Sequence, residues 1–289
     1  MANTISSSLN TDFLIETSIT KLQPRLAPLN AFARQFTTDR YKPKATAQCK
    51  FVTQGSTTLT NATDFEQTDS TVTNCQIPVA QLTQPFGVSN DELNSGLRMA
   101  DLIDANAKVF ANSIWGTIAA NITEANFANY NGGSYVAAPS AFGWSDMGQL
   151  WGALKKADEK YAILDGEYIA PLMNSPTFFQ MGLKGAQNDS VATYGWNGIH
   201  TATDWSTAGS GVRGLACNPN AIGVVAGLPL RPQNAANLLT LEFTLPDLGL
   251  SVQLNSWLSL KSRTQFMSFD VVIGSNVLDT SAAVIVKAA

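Results

Sequence analysis

A chain of 289 residues can bury a sizeable core in one large or two ordinary domains, which excludes a disulfide-stapled miniprotein. Only 14% of the residues are charged, where about 25% is ordinary for a globular domain, and Asn, Thr, Ser and Gln fill the gap, giving a surface that tolerates burial against another protein. The net charge of −4 disfavours a chain that grips phosphate backbones over its whole surface; no apolar run nears the ~20 residues that span a bilayer, and Met1 to Ile5 shows no basic leader, so the expectation is a soluble protein made and kept in the cytosol.

Residues 1–44 begin with a short apolar-periodic stretch, Phe13, Leu14, Ile19 and Leu22, which Pro24 and Pro28 should break. The segment is expected to be an arm and not a domain. Between Lys21 and Lys44 it carries Lys21, Arg25, Arg34, Arg40, Lys42 and Lys44 against one acid, Asp39, and the preferred partner is an acidic patch on a neighbouring subunit. Over residues 45–88 the period changes to two: Ala45, Ala47, Cys49 and Phe51 alternate with Thr46, Gln48, Lys50 and Val52, and Cys75, Ile77 and Val79 with Gln76, Pro78 and Ala80. The intervening Gly55 to Asp69 is too polar for a core of its own, so a long β-hairpin projecting from the body is predicted, with Pro78 at an edge or bulge. An isolated hairpin is marginal in water and needs a partner surface.

Ser89 and Glu92 have capping-box spacing, and Leu93, Leu97, Ala100, Ile103, Ala107, Phe110, Ile114, Ile118 and Ile122 follow in steps of three and four. The pattern predicts one helix of roughly 34 residues, about 50 Å long, which needs a broad body to lie across. After a Gly/Ala/Ser-rich connector, Asn131 to Gly143, Ser145 should cap a helix burying Met147, Leu150, Trp151 and Leu154. Tyr168 to Met173 reads as a buried strand, followed by a helix capped at Ser175 with Pro176 first and Phe178, Phe179 and Leu183 inward. Leu215 to Cys217, Asn218-Pro219 and Ile222 to Val225, closed by Gly227, repeat that strand-cap-helix order, implying an α+β domain with a central sheet. From Asn237 onward the chain is β: Leu239, Leu241 and Phe243, then Leu250, Val252 and Leu254, alternate with polar residues, and Phe269 to Gly274 and Ala282 to Lys287 complete the set. The terminal run reads as a core strand.

No reacting centre is legible. His200 is the sole histidine, which excludes a multi-histidine metal site, and Cys/His zinc spacing is absent. His200, Asp204 and Ser206 could be cast as base, orienter and nucleophile, but they lie within one Gly/Thr/Ser-rich stretch, and triads are made by geometry on rigid elements; a surface-loop histidine is the preferred reading. Asp91/Glu92 and Asp158/Glu159 read as helix-start and solvated-face pairs. Cys49, Cys75 and Cys217 are expected to be small buried apolar groups and not a disulfide framework. Trp144, Trp151, Trp196 and Trp205 among polar residues raise a secreted β-rich adhesin or carbohydrate-binding module as an alternative, against the commoner core or interface tryptophan. The expectation is therefore no enzyme, no catalytic residue, no cofactor and no metal.

The order of parts resembles the major capsid proteins of tailed bacteriophages, with the Hong Kong 97-like fold. The local likenesses are the helix from Ser89, the Tyr168 to Phe179 and Gly214 to Gly227 units, and the ending in which Asp270-Val-Val-Ile-Gly leads through Asn276-Val-Leu-Asp to Ala283-Val-Ile-Val-Lys. The resemblance implies an α+β fold divided into an N-terminal arm (1–44), an extended β-hairpin loop (45–88), a spine helix with part of a peripheral domain (89–143), an axial α+β domain (144–236), and peripheral strands with the C-terminal core strand (237–289). It implies a shell protein that forms pentamers and hexamers of itself in an icosahedral head around double-stranded DNA, assembled in host cytoplasm and residing in the virion, with no membrane partner. It further implies a separate scaffolding protein, since only about 44 residues precede the hairpin, together with a portal, a decoration protein as a further candidate, and weak or no sequence-specific DNA contact. Some members join Lys to Asn between subunits; Lys44, Lys50 and Asn276 lie in suitable regions, but no motif marks them as a reacting pair. A nanocompartment of the same fold is the other alternative.

Overall fold

A computed structural model describes residues 7–36, 45–53, 71–89, 99–154, 158–175, 195–202, 204–230, 238–246, 248–259 and 264–289. The chain opens with helix α1 (Ser7–Leu26) and a 3-10 turn, Ala27–Ala31, then strand β1 (Ala33–Gln35). Strands β2 (Thr46–Thr53) and β3 (Thr71–Pro78) pair antiparallel as a two-stranded sheet, and β4 (Ala80–Ser89) follows directly. Helix α2 (Met99–Ala119), β5 (Tyr135–Ala137), α3 (Trp144–Ala153), β6 (Tyr161–Leu164) and α4 (Gly166–Met173) come next. The rest is strand: β7 (Gly198–Thr201), β8 (Val212–Cys217), β9 (Ile222–Gly227), β10 (Leu238–Leu245), β11 (Leu250–Ser259), β12 (Thr264–Val277) and β13 (Ala283–Ala288). The fold class is α+β.

A six-stranded sheet runs β1-β9-β12-β11-β10, with β4 also on β12. Strand β12 is its hub, because its first half lies between β11 and β4 and its second half pairs with β9. One face of β12 presents Met267, Phe269, Val271 and Ile273 to the helical layer, all without exposed surface. Helix α2 lies on that face with Ile103, Ala107, Phe110, Ile114 and Ile118, the three- and four-residue stripe read from the sequence. Phe110 and Phe86 pack on Phe269 at ring-centroid distances of 5.6 and 5.5 Å. The five-stranded sheet, β5-β13-β8-β6-β7, is covered on both sides. Ile163, Leu215, Cys217, Ala283 and Ile285 join the main core, while Ala162, Leu164, Ala216, Val284 and Val286 join a second core with α3 and α4.

Two expectations fail for one reason: a run of apolar residues does not state how many faces are covered. Ile222 to Val225 is strand β9 and not a helix, since Ile222, Val224 and Ala226 enter the main core and Val225 the opposite side. Tyr168 to Met173 is helix α4 and not a strand. Asp165 caps it by accepting from the Glu167 N–H, and Tyr168 and Leu172, four apart, are its buried contacts. Helix α3 is capped at Gly143, with Asp146 Oδ2 accepting from the Gly143 N–H at 2.7 Å, so Ser145 is a helical residue and not the cap. Ser89 is the last residue of β4, opposite Thr264, and α2 as described spans 21 residues; the expected helix start at Asn90 to Glu92 lies outside the described residues. Leu93, Leu97, Pro176, Phe178, Phe179 and Leu183 lie outside the described residues.

The detached arm is also overturned. Helix α1 passes through Pro24, and Leu22, Leu26 and Phe32 are fully buried in the main core while β1 pairs parallel with β9. An interior proline costs about 3 kcal/mol, whereas each buried Leu contributes about 2 kcal/mol, so three leucines (Leu14, Leu22, Leu26) outweigh the missing bond.

Candidate assembly surface

The hairpin is anchored at its root. Ala47, Cys49, Ile77 and Val79 are buried against Val225 of β9 and Val272 of β12, on the sheet face opposite α2. Gly274 of β12 permits the approach, because a Cβ there would stand 2.1 Å from the Pro78 carbonyl oxygen. Asn276 Nδ2 donates to the Gln76 carbonyl at 3.1 Å, a second tie between sheet and hairpin. Away from the root, Gln48, Lys50, Asn74 and Gln76 are exposed. The period-two pairing from Thr46 to Pro78 is as expected, with Pro78 closing its strand. Residues 80–89, which the sequence reading kept in the hairpin, belong instead to the main sheet through ten pairs with β12. Gly55 to Asp69 lies outside the described residues.

Beside the root, the same sheet face turns polar. Thr83, Asp270, Gln253 and Glu242 stand in one row across β4, β12, β11 and β10, and Pro85, Ser268, Asn255 and Thr240 form the next. Asp270 is 4% exposed and accepts from Thr83 Oγ1 (2.5 Å), Ser268 Oγ (2.6 Å), Asn255 Nδ2 (2.7 Å) and Gln81 Nε2 (3.4 Å). Four donors offset the cost of burying its charge, which an unpaired carboxylate in the same place would not survive. Gln253 Nε2 and Thr240 Oγ1 both donate to Asn255 Oδ1 at 2.9 Å. A carboxylate inside the otherwise apolar run Phe269 to Ile273 is the only signal of this network in the sequence.

The basic stretch is partly neutralised within the chain. Lys21 and Arg25 meet Asp104 of α2 at 3.5 and 3.2 Å, which gives these two an acidic partner within the chain, and Arg34 Nη1 donates to the neutral Asn220 Oδ1 at 3.4 Å. Arg40, Lys42 and Lys44 lie outside the described residues, as do Asp91 and Glu92, whereas Glu159 accepts from the Tyr161 hydroxyl at 3.4 Å.

The residues once cast as a triad do not form one. Ser206 donates from both its N–H (3.0 Å) and Oγ (2.6 Å) to Asp204 Oδ1, an Asx turn that holds the Asp204 carboxyl below the usual carboxylate range. His200 sits on β7 stacked at 6.1 Å on Tyr161, and burial pushes its imidazole below the usual range. Trp196 and Trp205 are core residues of different clusters, Trp144 packs against the cluster of Trp196, and Trp151 lies open beneath Lys160 Nζ, 3.6 Å from its ring centre. Burial pushes the Lys160 ammonium down from its ordinary value. Among the described residues no group of three His, Cys, Asp or Glu could hold a metal ion. No helix among them is long and apolar enough to cross a membrane.

No protein-family model matches the chain, and no curated protein matches it in sequence. Solved structures do match in shape. A virus-like particle from Pyrococcus furiosus aligns over 98% of this chain and 100% of its own, with a TM-score of 0.55 and 11% identity. The capsid of Ralstonia phage GP4 aligns over 90% and 89%, at 0.52 and 8% identity, and the capsid of cyanophage Pam1 over 92% of both chains, at 0.51 and 11%. At such identities the likeness concerns the fold, and the fold is that of phage capsid proteins.

Proposed function

We propose that this chain is the major capsid protein of a bacteriophage: copies of it form pentamers and hexamers that close an icosahedral shell around double-stranded DNA. The observation that carries the reading is agreement in fold with phage capsid chains over about nine-tenths of the length, 92% of this chain with that of cyanophage Pam1 and 90% with that of Ralstonia phage GP4. The charge-poor, amide-rich surface supports it, as does a two-stranded hairpin fastened at its root alone among the described side chains, since both favour burial against neighbouring copies. An arm at 1–44, hairpin at 45–88, helix-bearing part at 89–143, axial part at 144–236 and peripheral strands at 237–289 remain the proposed division of labour, with the arm's helix counted as core. The shell would reside in the virion after assembly in host cytoplasm, with a separate scaffolding protein, a portal and a decoration protein as candidate partners and no catalytic duty. The acidic balance suits a container that holds DNA loosely.

A nanocompartment is the second reading, favoured by the Pyrococcus furiosus particle among the structural matches. Negative-stain electron microscopy of the expressed protein, alone and with its neighbouring gene products, tests both. Closed shells of uniform size are expected in one of the two preparations, and a monomer in both at high concentration would overturn the proposal. Nuclease-protected DNA in particles from infected cells marks the capsid, and a single enclosed protein marks the compartment.

A further inference from the structure

Cys49 and Cys75 are 26 residues apart in number, yet the hairpin register sets them directly opposite each other on β2 and β3. The kind of pair follows from one hydrogen bond. Val79 N–H donates to the Ala45 carbonyl at 2.9 Å, and 45/79 continues the same register, so 47/77 and 49/75 are hydrogen-bonded pairs as well. Pro78, which has no N–H, duly falls on the other kind, opposite Thr46. In a hydrogen-bonded antiparallel pair the Cα atoms stand about 5.5 Å apart, inside the ~4.4–6.8 Å that a disulfide spans. Directly opposed side chains leave the same face, and both of these lie against the root cluster with Val225 and Val272. Cys49 is 4% exposed and Cys75 is half-buried, so one is reachable from solvent and the other sits behind it. Cys217 stands apart in the main core, its Sγ 3.6 Å from the Ala31 carbonyl.

We propose that Cys49 and Cys75 are a redox-modification site at the hairpin root, which a small-molecule disulfide such as oxidised glutathione converts from two thiols to one Sγ–Sγ bond. Cys75 loses its proton and attacks one sulfur of the oxidant, releasing one reduced glutathione and leaving a mixed disulfide on Cys75. Cys49 then loses its proton and attacks the Cys75 sulfur, releasing the second. The protein pair is oxidised by two electrons and the glutathione disulfide is reduced by two. Burial pushes both thiols up, so the exchange is slow at neutral pH and quickens as pH rises. The bond closes the chain over residues 50–74 and keeps β2 and β3 in register whenever the root opens. It concerns one chain alone and stands whether or not shells form.

The test is intact-mass spectrometry of the full-length protein after incubation with oxidised glutathione under native conditions, alkylation and digestion without reduction. A loss of about 2 Da and a linked Cys49–Cys75 peptide are expected, in the wild type and equally in Cys217→Ala. Cys49→Ala should retain glutathione on Cys75, and Cys75→Ala should show no loss. Three alkylatable thiols in the oxidised wild type, a persistent adduct at Cys75, or a link to Cys217 or to a second copy would each overturn the proposal.

Discussion

The six-stranded sheet and the hairpin that grows from it are built from similar residues and are held quite differently. Along β12, seven successive residues from Met267 to Ile273 are buried, with α2 on one side and the polar network or the hairpin root on the other. Along β2 and β3, burial among the described side chains stops at Ala47, Cys49 and Ile77, and the partners facing outward are Gln48, Lys50, Asn74 and Gln76. The sheet is covered by its own chain, whereas the described side chains of the hairpin meet the rest of the chain at the root, against Val225 and Val272 and through the Asn276 bond to Gln76. In a molecule proposed to tile with copies of itself, the second kind of element is where neighbours have something to add.

The largest test of that difference is Phe269→Ala. It empties the stack between Phe86 and Phe110 and should cost about 3–5 kcal/mol of global stability, read from the denaturant midpoint. Ile77→Ala also truncates a fully buried side chain, yet one in the root cluster. The expected outcome is faster amide exchange in β2 and β3 through local opening, with the global midpoint moving by less than about 1 kcal/mol. A shift as large as that of Phe269→Ala would place the hairpin inside the cooperative core. The smallest effect extends the comparison to β7, at the edge of the second sheet. Burial holds His200 below the ordinary value of 6.5, so the unfolded chain binds more protons there. Stability from this group is therefore full above pH 6.5 and falls as pH drops through the interval down to the folded value. His200→Asn should flatten that slope in denaturant titrations at successive pH values, and an unchanged slope would refute the assignment.

The parts of the fold legible in the sequence are those where one face is covered and the other is not. Leu239, Leu241 and Phe243, alternating with Thr240, Glu242 and Thr244, could be read as a strand, although Leu239 at its outer end is 46% exposed. The stripe from Ile103 to Ile118 could be read as a helix, because its polar side names its solvent. The Cys49/Cys75 neighbourhood was half legible: period two marked both strands, but register is a property of the pair, and the odd cysteine count hid it.

Composition and period alone determined the charge-poor surface, the hairpin, the β-rich end and the long helix, since each rests on a local alternation of polar and apolar residues. Tertiary structure alone decided that Ile222 to Gly227 is a strand, that Tyr168 to Met173 is a helix, and that α1 is core. Where both faces of an element are covered its residues are apolar throughout, and the period that would distinguish strand from helix disappears. The same holds for Asp270, whose place was settled by four donors arriving from two other strands and its own, a convergence that no linear pattern records.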